Sequence, residues 1–175
     1  DYPPLTEDIE EAKSHLDKYG MALIANALNV EEVREMDERL NEQFLGEEKH
    51  KVGSKVRGDE GLGIQSSEEE KVSRLVWNLI NKGDCFLKLI DHPKILPLIQ
   101  HMIGKKVCLC SMGAHMNGSG NEKMALHQDQ WPLVPHAFDF PFMANVMYLI
   151  SDNSPENGGT RLIPGSHKWP LIDYK

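Results

Sequence analysis

Apolar residues recur at helical spacing over the first hundred positions and in short extended runs beyond them. The helical spacing predicts amphipathic helices over 6–19, 29–44, 68–81 and 93–103. Thr6 is the predicted N-cap of the first helix, and Gly20 and Gly104 are the predicted stops of the first and last. Asn29 caps the second helix, with Glu32 three residues on as in a capping box. The second helix carries an apolar stripe that we expect in the core: Val33, Met36, Leu40 and Phe44.

From residue 105 onwards, short apolar runs alternate with turn residues. Predicted strands cover 107–112, 123–128, 142–151 and 160–163, and a shorter one covers 21–28. Predicted turns cover 118–121, 157–159 and 164–167, and loops cover 46–67 and the proline-containing 131–141. A helical layer followed by antiparallel strands predicts an α+β fold.

The strands predicted after residue 105 are too few to close a β-structure. They number about four, whereas a double-sheet jelly roll uses about eight, and half of one leaves open edges. We therefore expect a single domain over 1–175, mainly helical over 1–104. Residues 105–175 then supply the first strands of a larger β-structure whose C-terminal part lies beyond this chain.

Charge and composition exclude several classes of partner. The net charge of −8 argues against a general nucleic-acid surface, and no apolar run is long enough to cross a bilayer. Three cysteines, Cys85, Cys108 and Cys110, form no disulfide framework, and no signal peptide is visible. We expect a cytoplasmic protein, because a reducing compartment suits free thiols. We also expect its partner to be a small molecule.

The candidate chemistry lies in His127-Gln128-Asp129, on the predicted strand 123–128. Alternate side chains of a strand point to the same side, so this imidazole and carboxylate can converge on one metal ion. Two such ligands begin a 2-His-1-carboxylate triad, although a third ligand is not obvious. A second copy, His15 and Asp17, lies on a predicted helix, where the two side chains diverge. We expect a surface role for this second pair.

Two segments carry a resemblance to a known family: LHQDQ at 126–130 and ENGGTRLIPGSHK at 156–168. Together they resemble the phytanoyl-CoA dioxygenase family, and residues 19–33 and 92–104 are similar to its helical N-terminal part. The resemblance implies helices packed on a double-stranded β-helix, or jelly roll, that binds Fe(II) and 2-oxoglutarate. Such enzymes use O2 to convert 2-oxoglutarate to succinate while oxidising a C–H bond of a second substrate.

The resemblance also implies roles for individual residues. His127 and Asp129 match the first two iron ligands, while Asn145 and Met112 match positions that contact 2-oxoglutarate or line its pocket. The third ligand, a histidine, and the basic residue that grips 2-oxoglutarate are expected beyond Lys175. Three other histidines match no ligand position of the family: His115, His136 and His167. His167 is expected to fix the turn at 164–167, and the other two to lie on the surface or in loops.

Three functions remain open from the sequence. The first is an Fe(II)/2-oxoglutarate-dependent dioxygenase that oxidises a small organic substrate. The second is a non-catalytic jelly-roll binding protein, and the third is a cupin-type hydrolase or isomerase with zinc or manganese on the same ligands. Nothing in the sequence specifies the substrate or the oligomeric state.

Overall fold

The computed structural model describes residues 1–56, 73–117, 126–127, 129 and 140–169. The elements within these ranges are β1 (Leu5–Thr6), α1 (Ile9–Tyr19), β2 (Leu23–Ile24), α2 (Val30–His50), β3 (Ser54–Val56), β4 (Ser73–Trp77), α3 (Asp84–Leu87), α4 (Leu96–Ile103) and β5 (Gly113–Met116). Two short 3₁₀ helices, Leu79–Asn81 and Ser166–Lys168, complete the set. The α+β class is confirmed. None of the helices described is long and apolar enough to cross a membrane.

Helix α1 begins two residues later than its sequence predicts. Asp8 is the N-cap and accepts a hydrogen bond from the backbone N–H of Glu11 at 2.9 Å. Thr6, the predicted cap, instead pairs with Ile24 in the parallel β1–β2 ladder. Gly20 ends the helix in the left-handed region at φ 73°, as predicted.

Helix α2 is capped as the sequence predicts and runs further. Asn29 accepts from the Glu32 backbone N–H at 2.9 Å, and the Glu32 carboxylate accepts from the Asn29 backbone N–H at 2.8 Å. Met36 and Phe44 of the predicted stripe are buried. The helix continues through Gly46 to His50 and strand β3 covers Ser54–Val56, so the loop predicted over 46–67 is wrong at these residues. Residues 57–67 lie outside the described part of the chain.

The helix predicted over 68–81 is wrong at residues 73–77, which form strand β4, whereas Leu79–Asn81 form a short 3₁₀ helix and 68–72 lie outside the described residues. This strand is central in an antiparallel sheet of order β3-β4-β5. The helical prediction rested on apolar spacing, whereas ladder partners on both sides decide the conformation. Leu75 and Val76 are both buried. Val76 joins a core cluster with residues of α2, α3, the first 3₁₀ helix and the turn after α3: Met36, Phe44, Leu79, Cys85, Phe86 and Leu89.

Helix α4 packs against α1 and ends at Gly104, as predicted. It starts at Leu96, three residues later than expected, because 92–95 form a turn in which Ile95 N–H donates to the carbonyl of His92. The imidazole Nε2 of His101 lies 2.8 Å from Asp17 Oδ1 and links the two helices.

The later half contains fewer ladders than its pattern predicts. The strand expected at 107–112 lies instead at Gly113–Met116, and the described residues of 142–151 and 160–163 form no hydrogen-bonded strand. A turn covers residues 155–158, close to the predicted 157–159 but without a hairpin ladder on either side, and a turn at 164–165 leads into the 3₁₀ helix Ser166–Lys168. The predicted turn at 118–121 and most of the predicted strand 123–128 and loop 131–141 lie outside the described residues. The jelly roll and the domain extent stay predictions.

Candidate metal centre

His127 and Asp129 are close together, although neither lies in a hydrogen-bonded strand: His127 is in irregular structure and Asp129 is in a turn. Nε2 of His127 lies 3.4 Å from Oδ1 of Asp129, and the two side chains are 46% and 53% exposed. This separation exceeds a typical N–H···O hydrogen bond of about 2.9 Å. The imidazole nitrogen and the carboxylate oxygen are therefore in contact range of each other, on side chains that are both about half exposed.

The spacing of these two atoms suits a shared metal ion. Nitrogen and oxygen ligands lie about 2.1 Å from a first-row divalent ion, so two of them on one ion are about 3.0 Å apart at a right angle and about 3.4 Å apart at a tetrahedral angle. The observed 3.4 Å lies at the upper end of that range. A hard carboxylate and an imidazole also form a donor set suited to Fe(II). Within the described residues no group of three or more His, Cys, Asp or Glu side chains could hold a metal.

Asn145 binds the other oxygen of the same carboxylate. Its amide nitrogen Nδ2 donates to Asp129 Oδ2 at 2.5 Å. The two carboxylate oxygens thus have different surroundings, one facing His127 and one held by an amide. The sequence predicted Asn145 near 2-oxoglutarate and did not predict this bond, because the two residues are 16 positions apart and no short motif joins them.

The segment that carries Asn145 is anchored to the core by Tyr148. The Tyr148 hydroxyl donates to the carbonyl of Leu89 at 3.1 Å, and its ring meets that of His92 edge to face, with centroids 5.9 Å apart. Burial raises the pKa of Tyr148 to about 12. Ile150 packs against the same core cluster. These contacts fix the backbone three to five residues beyond Asn145.

Met112 packs against the same core cluster. Its side chain is partly buried against the cluster around Phe86, and its carbonyl accepts from Leu79 N–H at 3.0 Å. These contacts are those of a packing residue. A role for Met112 in lining a cosubstrate pocket stays a prediction.

The other histidines serve different purposes. His115 lies in β5 opposite Leu75, not in a loop. Desolvation by the atoms around it lowers its pKa although the ring remains accessible. His167 Nε2 lies 3.3 Å from the carbonyl of Asp17, so its ring rests on the end of α1, which supports its predicted structural role. His136 lies outside the described residues.

The second His-x-Asp diverges as predicted, but its surface assignment is wrong for His15. That side chain is only 8% exposed and meets the ring of Tyr19 at 5.8 Å, while Asp17 bonds His101. Packing of α1 against α4 turns His15 inward, which helical spacing alone leaves open. The two His-x-Asp patterns therefore differ: the His15 and Asp17 side chains diverge on a helix, whereas His127 and Asp129 are in contact.

Comparison with known proteins identifies the family. The sequence model of phytanoyl-CoA dioxygenase (PhyH) matches residues 16–175. The chain belongs to the phytanoyl-CoA dioxygenase family. No solved structure matches it significantly.

Curated relatives of the chain are named as dioxygenases. The dioxygenase af480 of Aspergillus fumigatus is 26% identical over 166 residues, covering 94% of this chain and 51% of the relative. A probable alpha-ketoglutarate-dependent hypophosphite dioxygenase of Stutzerimonas stutzeri is 27% identical over 169 residues, covering 95% of this chain and 56% of the relative. The chain thus spans about half the length of these relatives.

Proposed function

We propose that the full-length protein is a non-haem Fe(II)/2-oxoglutarate-dependent dioxygenase that oxidises a C–H bond of a small organic substrate. The observation that carries this proposal is the convergence of His127 Nε2 and Asp129 Oδ1 at 3.4 Å, in a member of the phytanoyl-CoA dioxygenase family. One relative is named as alpha-ketoglutarate-dependent, which supports the same cosubstrate here.

In this proposal His127 and Asp129 hold the iron as a neutral imidazole and an anionic carboxylate. When bound, Fe(II) with 2-oxoglutarate and O2 supplies the oxidising power, yielding succinate, CO2 and an oxidised substrate. The third protein ligand and the basic anchor for 2-oxoglutarate are assigned to the rest of the full-length protein. The match covers only about half of each relative's length, which leaves room for such residues. Both described ligands are about half exposed, so cosubstrate and O2 have access from the solvent side.

The cellular setting forms part of the same proposal. Among the described residues the three cysteines are all free, with Cys85 buried and Cys108 and Cys110 exposed. Exposed thiols without a disulfide suit a reducing compartment, so we assign the protein to the cytoplasm.

Replacement of the carboxylate ligand tests the metal site. Asp129→Ala in the full-length protein is expected to weaken Fe(II) binding by more than ~100-fold, because it removes an anionic ligand, a larger change than outer-shell substitutions produce. Anaerobic titration with Fe(II), followed by equilibrium dialysis, measures this.

The matched control is Asp17→Ala. Asp17 is the carboxylate of the second His-x-Asp, lies on helix α1 and is hydrogen-bonded to His101 of helix α4. We expect that variant to bind iron as the wild type does. Unchanged iron affinity in Asp129→Ala would show that the assignment is wrong.

A further inference from the structure

Asn145 contacts the candidate metal ligand directly, which gives it a role other than the one predicted from its sequence position. We infer that Asn145 is a positioning residue whose amide holds one oxygen of Asp129 so that the other oxygen faces the metal together with His127. The inference rests on the proposed function, in that Asp129 is taken to be a metal ligand.

The geometry distinguishes the two carboxylate oxygens. Oδ2 accepts from Asn145 Nδ2 at 2.5 Å, and Oδ1 lies 3.4 Å from His127 Nε2. The hydrogen bond from the Asn145 amide therefore fixes the rotation of the Asp129 carboxylate about its last side-chain torsion. Amide-to-carboxylate bonds are charge-assisted and stronger than neutral ones, so this one can hold an otherwise half-exposed side chain in place.

This arrangement has a consequence for the number of ligand positions. A carboxylate can bind a metal ion through one oxygen or through both. When Oδ2 is occupied by an amide, binding through Oδ1 alone is favoured, which leaves more positions for exogenous ligands. Such free positions would be needed by an enzyme whose metal ion binds both a cosubstrate and O2.

The position of Asn145 is itself secured. Tyr148, three residues further on, is bonded to Leu89 and packed against His92, and Ile150 packs on the core cluster. The amide is therefore presented by a backbone segment that is tied to the helical part of the molecule. Outer-shell partners held in this way typically contribute 10–100-fold to metal affinity.

A direct contact with 2-oxoglutarate would leave a different signature. An asparagine amide has two N–H donors, and the bond to Asp129 uses one of them. A positioning residue acts on metal affinity in the absence of cosubstrate. A residue that only contacts cosubstrate acts on the KM for 2-oxoglutarate and leaves metal affinity unchanged.

The test is a titration of the full-length protein with Co(II) alone, without 2-oxoglutarate, followed by visible absorption of the bound ion. Asn145→Ala and the near-isosteric Asn145→Leu, which both lack a donor, are expected to bind Co(II) about 10–100-fold more weakly than wild type. We also expect an altered Co(II) absorption spectrum in both. The matched control is Asn26→Gly, because Asn26 donates to the Glu7 carboxylate at 2.8 Å and glycine tolerates its φ of 50°.

The outcomes separate the possibilities. Co(II) affinity and spectrum unchanged in both Asn145 variants, with or without a raised KM for 2-oxoglutarate, would overturn the inference. Weakened Co(II) binding in both, with the control unchanged and far-UV circular dichroism preserved, supports it. Because no cosubstrate is present, this result is independent of the proposed dioxygenase activity. That activity is contradicted by a different result, a wild-type protein that binds metal but neither binds nor consumes 2-oxoglutarate.

Discussion

The contact between Gly20 and His167 connects the N-terminal and C-terminal parts of the described chain. The His167 ring lies over the glycine that ends α1, so that a Cβ added at Gly20 would be 2.4 Å from His167 Nδ1. Beside it, Gly165 N–H donates to the carbonyl of Tyr19 at 2.7 Å, and the Tyr2 hydroxyl donates to the carbonyl of Leu162 at 3.0 Å. The Pro-Gly-Ser-His turn is thus seated on the end of a helix, and the role of His167 is packing.

Gly20→Ala is therefore expected to destabilise the protein by about 2–4 kcal/mol, combining a left-handed φ with overpacking against the ring. Gly165→Ala is the matched control, since Gly165 has a similar φ of 82° and no described atom within 4 Å of the added Cβ; it should cost about 1–2 kcal/mol. Urea denaturation measures both. Equal costs, or no recovery in the double variant Gly20→Ala/His167→Ala, would contradict this account of the turn.

Elements fixed by local signals are predictable from the sequence, and those fixed by distant partners are not. Asn29 marks a helix start through a capping bond, and Gly20 and Gly104 mark helix ends through positive φ angles of 73° and 95° that favour glycine. Strand β4 is the opposite case. Leu75 and Val76 are held extended by pairing with strands β3 and β5, which are distant from β4 in sequence. The candidate site divides in the same way: spacing predicts His127 and Asp129, whereas the Asn145–Asp129 bond depends on tertiary placement.

The local control of α2 can be measured. Asn29→Ala is expected to destabilise the protein by about 1 kcal/mol, because it exposes a backbone N–H that the side chain now satisfies. Asn29→Ser keeps an acceptor at the cap and should lie within a few tenths of a kcal/mol of wild type. Thermal unfolding followed by circular dichroism checks this. A loss as large in the serine variant as in the alanine variant would show that the capping bond is not the cause.

At the scale of the whole molecule, the described residues are unevenly packed. The helices and the β3-β4-β5 sheet enclose Met36, Val76 and Phe86 almost completely. In the later half, Phe140, Met147 and Leu149 are all more than half exposed, at 58%, 57% and 54%. The relatives are about twice as long as their match to this chain. We propose that further residues of the full-length protein cover this apolar surface and complete the metal site.

The proposed oxidation depends on Fe(II) and 2-oxoglutarate, so turnover of the full-length protein with both tests it directly. The full-length protein is incubated with Fe(II), 2-oxoglutarate and O2, and the formation of succinate and CO2 is followed, with Zn(II)-loaded and anaerobic samples as controls. We predict that 2-oxoglutarate is bound and converted to succinate and CO2 only when both Fe(II) and O2 are present. A wild-type protein that carries Fe(II) yet neither binds nor consumes 2-oxoglutarate would contradict the claim.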